Sequence, residues 1–189
     1  TCAVITILSV EKKDYIVLSL SFESADELFA SLYTLAAGLI RKIGRILKAQ
    51  GIPENICADW QQPISREFPL DDLGQRITEL CSSCDKGVVL MIDEVDKSSD
   101  NQIFLSFLGL LREKYLNQLK GQGKTFHSVI LAGVYDVKNL KLKLHPEAES
   151  KYNSPWNVAV DFEVDMSLSV EEIASMLQDY ESDWHTGMD

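Results

Sequence analysis

Val88-Val89-Leu90-Met91-Ile92-Asp93-Glu94, residues 88–94, is the stretch on which the reading of this chain turns. Five apolar residues run without interruption and then meet two acids. A strand buried on both faces reads as a continuous apolar run rather than as an alternation, which is the pattern of a parallel sheet covered by helices. Charge ends the run, so Asp93 and Glu94 stand at the C-terminal tip of the strand. Ligands of open α/β sheets bind outside that edge. Adjacent carboxylates there suit phosphoryl transfer: one orients a hydrated Mg²⁺ that neutralises phosphate charge, and its neighbour positions the attacking water.

Upstream, Gly87 ends a helix that begins near Asp71-Asp72 and carries Leu73, Ile77 and Leu80. Residues 51–69, GIPENICADWQQPISREFP, read as an irregular, proline-punctuated loop. Before it, Tyr15-Ile16-Val17-Leu18-Ser19-Leu20-Ser21-Phe22 is a buried strand. Ser24-Ala25-Asp26-Glu27 is a capping box, in which Ser24 and Glu27 satisfy each other's backbone donors. It opens a long helix with Leu28, Leu32, Leu35, Leu39, Ile43 and Ile46 on one stripe, ending at Gly51. Residues 2–9, CAVITILS, favour strand by β-branching, and EKKD would turn them into a hairpin with the next strand.

Downstream, Ser98-Ser99-Asp100 can cap a third helix with Ile103, Phe104, Phe107, Leu111 and Tyr115 inward. A strand at 129–133 follows, then a polar connection holding Pro146 and Pro155, and an alternating strand at 157–164. Ser169-Val170-Glu171-Glu172 is another capping box, opening a helix with Ile173, Leu177 and Tyr180 inward. Strands alternating with helices predict an α/β fold: a three-layer parallel sheet with helices on both faces.

Between the third helix and its strand lies Gly121-Gln122-Gly123-Lys124-Thr125, which looks like the end of a phosphate-binding loop. The full motif is G-x-x-x-x-G-K-[ST], preceded by a strand and opening a helix. Here the first glycine's position holds Gln118, a helix precedes, and the strand follows. The stretch therefore reads as a helix-to-strand loop with a glycine C-cap.

The 189 residues suffice for one domain with a sizeable core. A net charge of −11 disfavours nucleic acid as a partner. The local basic clusters, Arg41-Lys42 with Arg45 and Lys48, and Lys138 with Lys141 and Lys143, read as solvated faces. The longest uncharged apolar run, ASLYTLAAGLI, is too short to span a bilayer, no basic leader is visible, and the cytoplasm is the expected location. Cys2, Cys57, Cys81 and Cys84 form no disulfide framework in a chain this long. Cys81-Ser82-Ser83-Cys84 lacks a second ligand pair for zinc and closes an apolar series, so it reads as core cysteines at a helix end. His127, His145 and His185 carry no ligand spacing.

In that order the motifs resemble P-loop ATPases of the additional-strand, catalytic-glutamate type, and among them the AAA-like and STAND-like ATP-binding proteins of bacteria. VVLMIDEVDKS is similar to their Walker B, FHSVILAGVYDVKNL to the sensor strand that follows it, and FEVDMSLSVEEIASMLQDYE to the last core strand and the helix after it. NSPWNVAVDF fits the segment leading into that strand. The resemblance covers nearly the whole chain. It implies ATP and Mg²⁺ as cofactors, with Asp93 holding the magnesium through water and Glu94 orienting the attacking water. The sensor position falls on Tyr135 and Asp136, where the family carries Asn, Ser, Thr or Arg, and an acid facing a γ-phosphate would repel it.

No G-x-x-x-x-G-K-[ST] occurs in the chain. By the resemblance, a helix runs from the loop's last hydroxyl residue to the strand YIVLSLSF, which puts Thr1 near that position. The implied organisation is an ATPase core over 1–183, incomplete at its N-terminus with the loop's Gly-Lys upstream, and the start of a lid or linker over 184–189. Residues 2–12 would then be helical, against local propensity. The partners implied are a nucleotide and an unidentified protein, with oligomerisation left open. Rival readings are a catalytically dead ATPase-like scaffold, a phospho-acceptor receiver domain, which needs a second acid pair and a lysine that SFES and VDMSLS do not supply, and a DExD helicase.

Overall fold

The computed structural model describes residues 14–23, 26–95, 102–133, 160 and 169–184. The chain forms two compact units, Thr1–Val158 and Ala159–Asp189.

In the first unit, β1 (Tyr15–Ser21), β2 (Gly87–Asp93) and β3 (Ser128–Leu131) form a parallel sheet in the order β1–β2–β3. Leu18 pairs with Leu90, and Ile92 with Leu131. The fold is therefore α/β with a parallel sheet, compatible with a Rossmann-like arrangement. All five residues of the apolar run in β2 are buried. On one face Ile16, Leu18 and Leu20 join Val88, Leu90 and Ile92 in the main core, while Val89 and Met91 are buried on the other.

The crossovers from β1 to β2 and from β2 to β3 step the same way across the sheet. Right-handed connections then place their helices on one face. Accordingly, α1 (Leu32–Ala49), α3 (Pro69–Ser83) and α4 (Gln102–Leu119) all bury residues in the core that holds Leu18 and Leu90. Among the described residues of this unit, no helix is placed on the opposite face, where the third layer is expected. Among the described residues no strand pairs with the outer edge of β1, and α1 side chains cover it: Gln50 Nε2 donates to Val17 O (2.7 Å) and Lys42 Nζ to Ser21 O (3.1 Å). Covering an edge in this way blocks further strand pairing.

The long helix starts later than residues 24–27 predict. Asp26–Ala30 is a 3-10 turn, and α1 begins after Ser31. Ser31 Oγ accepts from the Thr34 amide (3.0 Å) and Thr34 Oγ1 from the Ser31 amide (2.8 Å), so the capping box is Ser31–Thr34. Packing causes the shift. Leu28 folds back over Gly38, where any β-carbon would collide with it. Phe29 meets Phe22 edge-on at 5.2 Å, and both meet Phe104. At its other end α1 closes as predicted at Gly51 (φ +72°), with Ile52 N–H donating to Leu47 O and Gly51 N–H to Lys48 O. This is a Schellman cap.

Residues 51–69 are not irregular throughout. They hold α2 (Glu54–Cys57) and a 3-10 turn (Asp59–Gln61), with Cys57 and Trp60 buried. α3 begins at Pro69, a residue pre-organised for the first helical position. In α4 the buried set is Phe104, Leu105, Phe107, Leu108 and Leu110, while Tyr115, expected inward, is 41% exposed. The first turns of α4 are apolar nearly all round, so periodicity alone does not fix the inward face. The expected cap at Ser98-Ser99-Asp100 lies outside the described residues.

The second unit contains α5 (Val170–Trp184), opening after Ser169 as predicted. Ile173, Leu177 and Tyr180, expected inward, are 40, 49 and 47% exposed. Their spacing defines a stripe, and a stripe does not specify what covers it. The strand expected at 157–164 lies outside the described residues except for Val160, which is 92% exposed and in no strand.

Candidate functional site

β2 delivers Asp93 to the C-terminal edge of the sheet, opposite Ser21 of β1. The backbone is held on both sides as it leaves the strand. Phe22 N–H donates to Asp93 O (3.0 Å), Ala132 N–H to Ile92 O (2.9 Å), and Val95 N–H to Ala132 O (3.1 Å). Val95 is fully buried and anchors the chain one residue further on.

Glu94 is caught between these anchors. Its φ is +55°, the only positive value at a non-glycine residue among the described residues. For an L-residue the left-handed region costs about 1–2 kcal/mol. Such conformations persist where the surroundings over-determine them, and they cluster at functional sites. The turn aims the Glu94 amide back into the preceding side chain, donating to Asp93 Oδ1 at 2.9 Å. One carboxylate oxygen of Glu94, Oε2, is buried. The two acids are thus fixed relative to one another by the backbone and not merely adjacent in sequence.

The donor set bears on which metal could sit here. No group of three or more His, Cys, Asp or Glu side chains able to hold a metal occurs among the described residues. Asp93 and Glu94 therefore form no closed cage of their own. Mg²⁺ demands hard oxygen ligands, keeps several waters and is commonly held by one or two carboxylates together with substrate phosphates. Two carboxylates at a strand tip fit that outer role, and they do not fit a structural zinc site.

The GQGKT stretch lies at the opposite edge. α4 ends in a second Schellman cap: Gln122 N–H donates to Asn117 O (2.8 Å) and Gly121 N–H to Gln118 O (2.9 Å), with Gly121 at φ +73°. The Thr125 amide is taken by Gln118 Oε1 (2.8 Å), and His127 N–H then joins Val88 O at the start of β2. A seven-residue strand is roughly 20 Å long, so β2 separates this loop from Asp93 and Glu94 by about that distance. The helix end that faces the loop is a C-terminus, whose dipole is negative. It offers phosphate no cradle, as the spacing predicts.

Cys81 is buried in the last turn of α3 and Cys84 follows the helix, so they are helix-end cysteines, and Cys57, Cys81 and Cys84 form no disulfide. Burial, reinforced by Cys84, pushes the Cys81 thiol up to about 12 against a weaker opposing pull from Lys124. Burial also raises Cys57 and Cys84. Thiols raised in this way lack the lowered pKa that marks redox-active cysteines. His127 packs its ring 5.1 Å from that of Tyr15 at the N-terminal edge. Thr1, Tyr135, Asp136, His145 and His185 lie outside the described residues.

Arg76 escapes a reading by motif. It is 7% exposed and donates through Nη1 to Asp59 O and Gln62 O, and through Nη2 to Pro63 O, with Asp59 as ion-pair partner. A signal was present: position 76 lies on the stripe of Leu73, Ile77 and Leu80, where an arginine is out of place unless paired.

No family model, curated protein or solved structure matches the chain. No helix among the described residues is long and apolar enough to cross a membrane.

Proposed function

We propose that this chain supplies the acidic half of an ATP-hydrolysing site, as the core of an AAA-like or STAND-like ATPase. The observation that carries the reading is Glu94, a strained non-glycine residue at the C-terminal tip of the central described strand, with its amide bound to the neighbouring Asp93 carboxylate. A bound Mg²⁺ would neutralise phosphate charge at this edge. Asp93 would hold the water shell of that ion. Glu94 accepts a proton from, and so orients, the attacking water; its direction is set by the left-handed backbone rather than by a flexible side chain alone. The reading needs a phosphate cradle from residues other than 121–125. It places the chain in the cytoplasm, with a nucleotide and a protein that responds to the nucleotide state as partners.

Glu94→Gln, made in the full-length protein, tests the assignment. Mg-ATP should bind as before while turnover falls at least about 100-fold, because the lost interaction acts in the transition state. Steady-state hydrolysis at the original rate would reject it.

A second reading, an ATPase-like interaction module without turnover, is favoured by the position of Lys124 and Thr125 at the wrong edge of the sheet. It expects no binding of Mg-ATP by the full-length protein in calorimetry, where the first reading expects binding.

A further inference from the structure

On α1, Arg41, Arg45 and Lys48 fall on one face at i, i+4 and i+7, spread over about 10 Å of helix. Facing them is the segment 60–64, and between the two lies a groove of about 390 Å³ floored by Ile40, Trp60 and Ile64. That volume is within the range of small-molecule sites, about 300–1,000 Å³.

The groove is built from fixed parts. A β-carbon on Gly44 would come within 3.2 Å of both Trp60 Cβ and Trp60 O, so a glycine is what lets α1 approach the segment this closely. Arg76 holds the far wall from behind, through the carbonyls of Asp59, Gln62 and Pro63. Buried guanidinium bonds of this kind are strong and directional. The Arg66 guanidinium lies 5.3 Å above the ring of Tyr33, itself a lining residue, adding a fourth cation nearby.

Charge distribution distinguishes this face from an ordinary solvated one. The chain carries 29 acidic and 18 basic side chains, yet no ion pair engages Arg41, Arg45 or Lys48 among the described residues. Of the acids nearby in sequence, Asp59 pairs with Arg76, and Glu54 accepts from the neutral Gln61 Nε2 (3.1 Å). Three exposed cations line a concave, apolar-floored space, and no carboxylate among the described residues forms an ion pair with them.

We propose that this groove is a binding site for a small organic polyanion, a molecule with an apolar or planar body and two or more phosphate or carboxylate groups. The body covers Ala37 and Ile64, which are half-buried at the groove surface, and the anionic groups take the two arginines, whose planar forks match such oxygens bidentately. A long polyanion fits less well, because its charge would continue beyond the groove onto a surface with a net charge of −11. No residue that lines the groove belongs to β1, β2 or β3, so the site is distinct from the strand tip.

The test uses the full chain and 8-hydroxypyrene-1,3,6-trisulfonate, a planar apolar trianion, with binding read by fluorescence polarisation. Micromolar binding is expected, weakened at least tenfold by the double change Arg41→Ala and Arg45→Ala, whose exposed sites leave the thermal midpoint unchanged. Gly44→Leu fills the groove without altering charge and should abolish binding as well. The proposal is overturned by absence of binding at millimolar probe, by equal affinity in the arginine double variant, or by a folded Gly44→Leu protein that binds normally, which would mean diffuse surface charge. It also fails if a twenty-nucleotide oligothymidylate binds more tightly than the trianion and loses affinity in the same variants.

Discussion

At one edge of the sheet β2 runs into Asp93 and Glu94, and at the other α4 turns through Gly121 and Gly123 into β3. Both turns use positive φ. At the N-terminal edge glycine fills each such position, at +73° and +114°, and the strain is relieved by composition. At the C-terminal edge a glutamate adopts +55° although glycine would do so at no steric cost. A backbone that needs only to turn uses glycine. A turn that keeps a carboxylate at a strained position points to work for that carboxylate.

Glu94→Gly is the sharpest way to break this contrast. Turnover of the full-length protein should fall at least about 100-fold, while stability rises by up to about 1 kcal/mol. The strain released, about 1–2 kcal/mol, exceeds the additional chain entropy of glycine, about 0.5–1 kcal/mol. Denaturant melts of the two proteins measure the difference, and a destabilised variant would show that Glu94 is held by packing rather than strained.

Gly123→Ala makes the converse test. With φ at +114°, alanine should cost about 2 kcal/mol without touching hydrolysis per folded molecule. A variant as stable as the parent would remove the conformational reason for the second glycine.

Beside that loop, Cys81 gives the same edge a pH signature. Its thiol is raised from 9.0 to about 12 on folding, so the stability it contributes is complete below pH 9 and is lost as pH rises toward 12. The slope reaches about 1.4 kcal/mol per pH unit. Unfolding midpoints at pH 8 and pH 10 should therefore converge in Cys81→Ala relative to the parent; an identical fall in both proteins would remove Cys81 from the account.

The smallest effect belongs to Lys124. Lys124→Ala should change stability by less than about 0.5 kcal/mol and leave Mg-ATP affinity in the full-length protein unaltered. A tenfold loss, about 1.4 kcal/mol, would show that the N-terminal edge meets phosphate after all.

Some of these features are written in short stretches of chain. The run Val88 to Ile92 is apolar without alternation, and it is a strand buried on both faces. The GQGKT loop follows a helix and precedes a strand, and its Schellman bonds join residues five or fewer apart, so the glycine C-cap was interpretable from spacing. The acid pair was legible as a pair, because its position requires only that charge end the strand. Other features depend on residues distant in sequence. α1 begins at Ser31 rather than Ser24 because Leu28 settles against Gly38 and Phe29 against Phe104. Glu94 is forced to +55° because Phe22 and Ala132, the residues that follow β1 and β3, pin the backbone around it. Arg41, Arg45 and Lys48 face a groove only because Arg76 draws three carbonyls from residues 59–63 into place opposite them. Local hydrogen bonds and hydrophobic period can be counted along the chain, whereas steric limits and charge environments are set by whichever distant segments packing brings into contact.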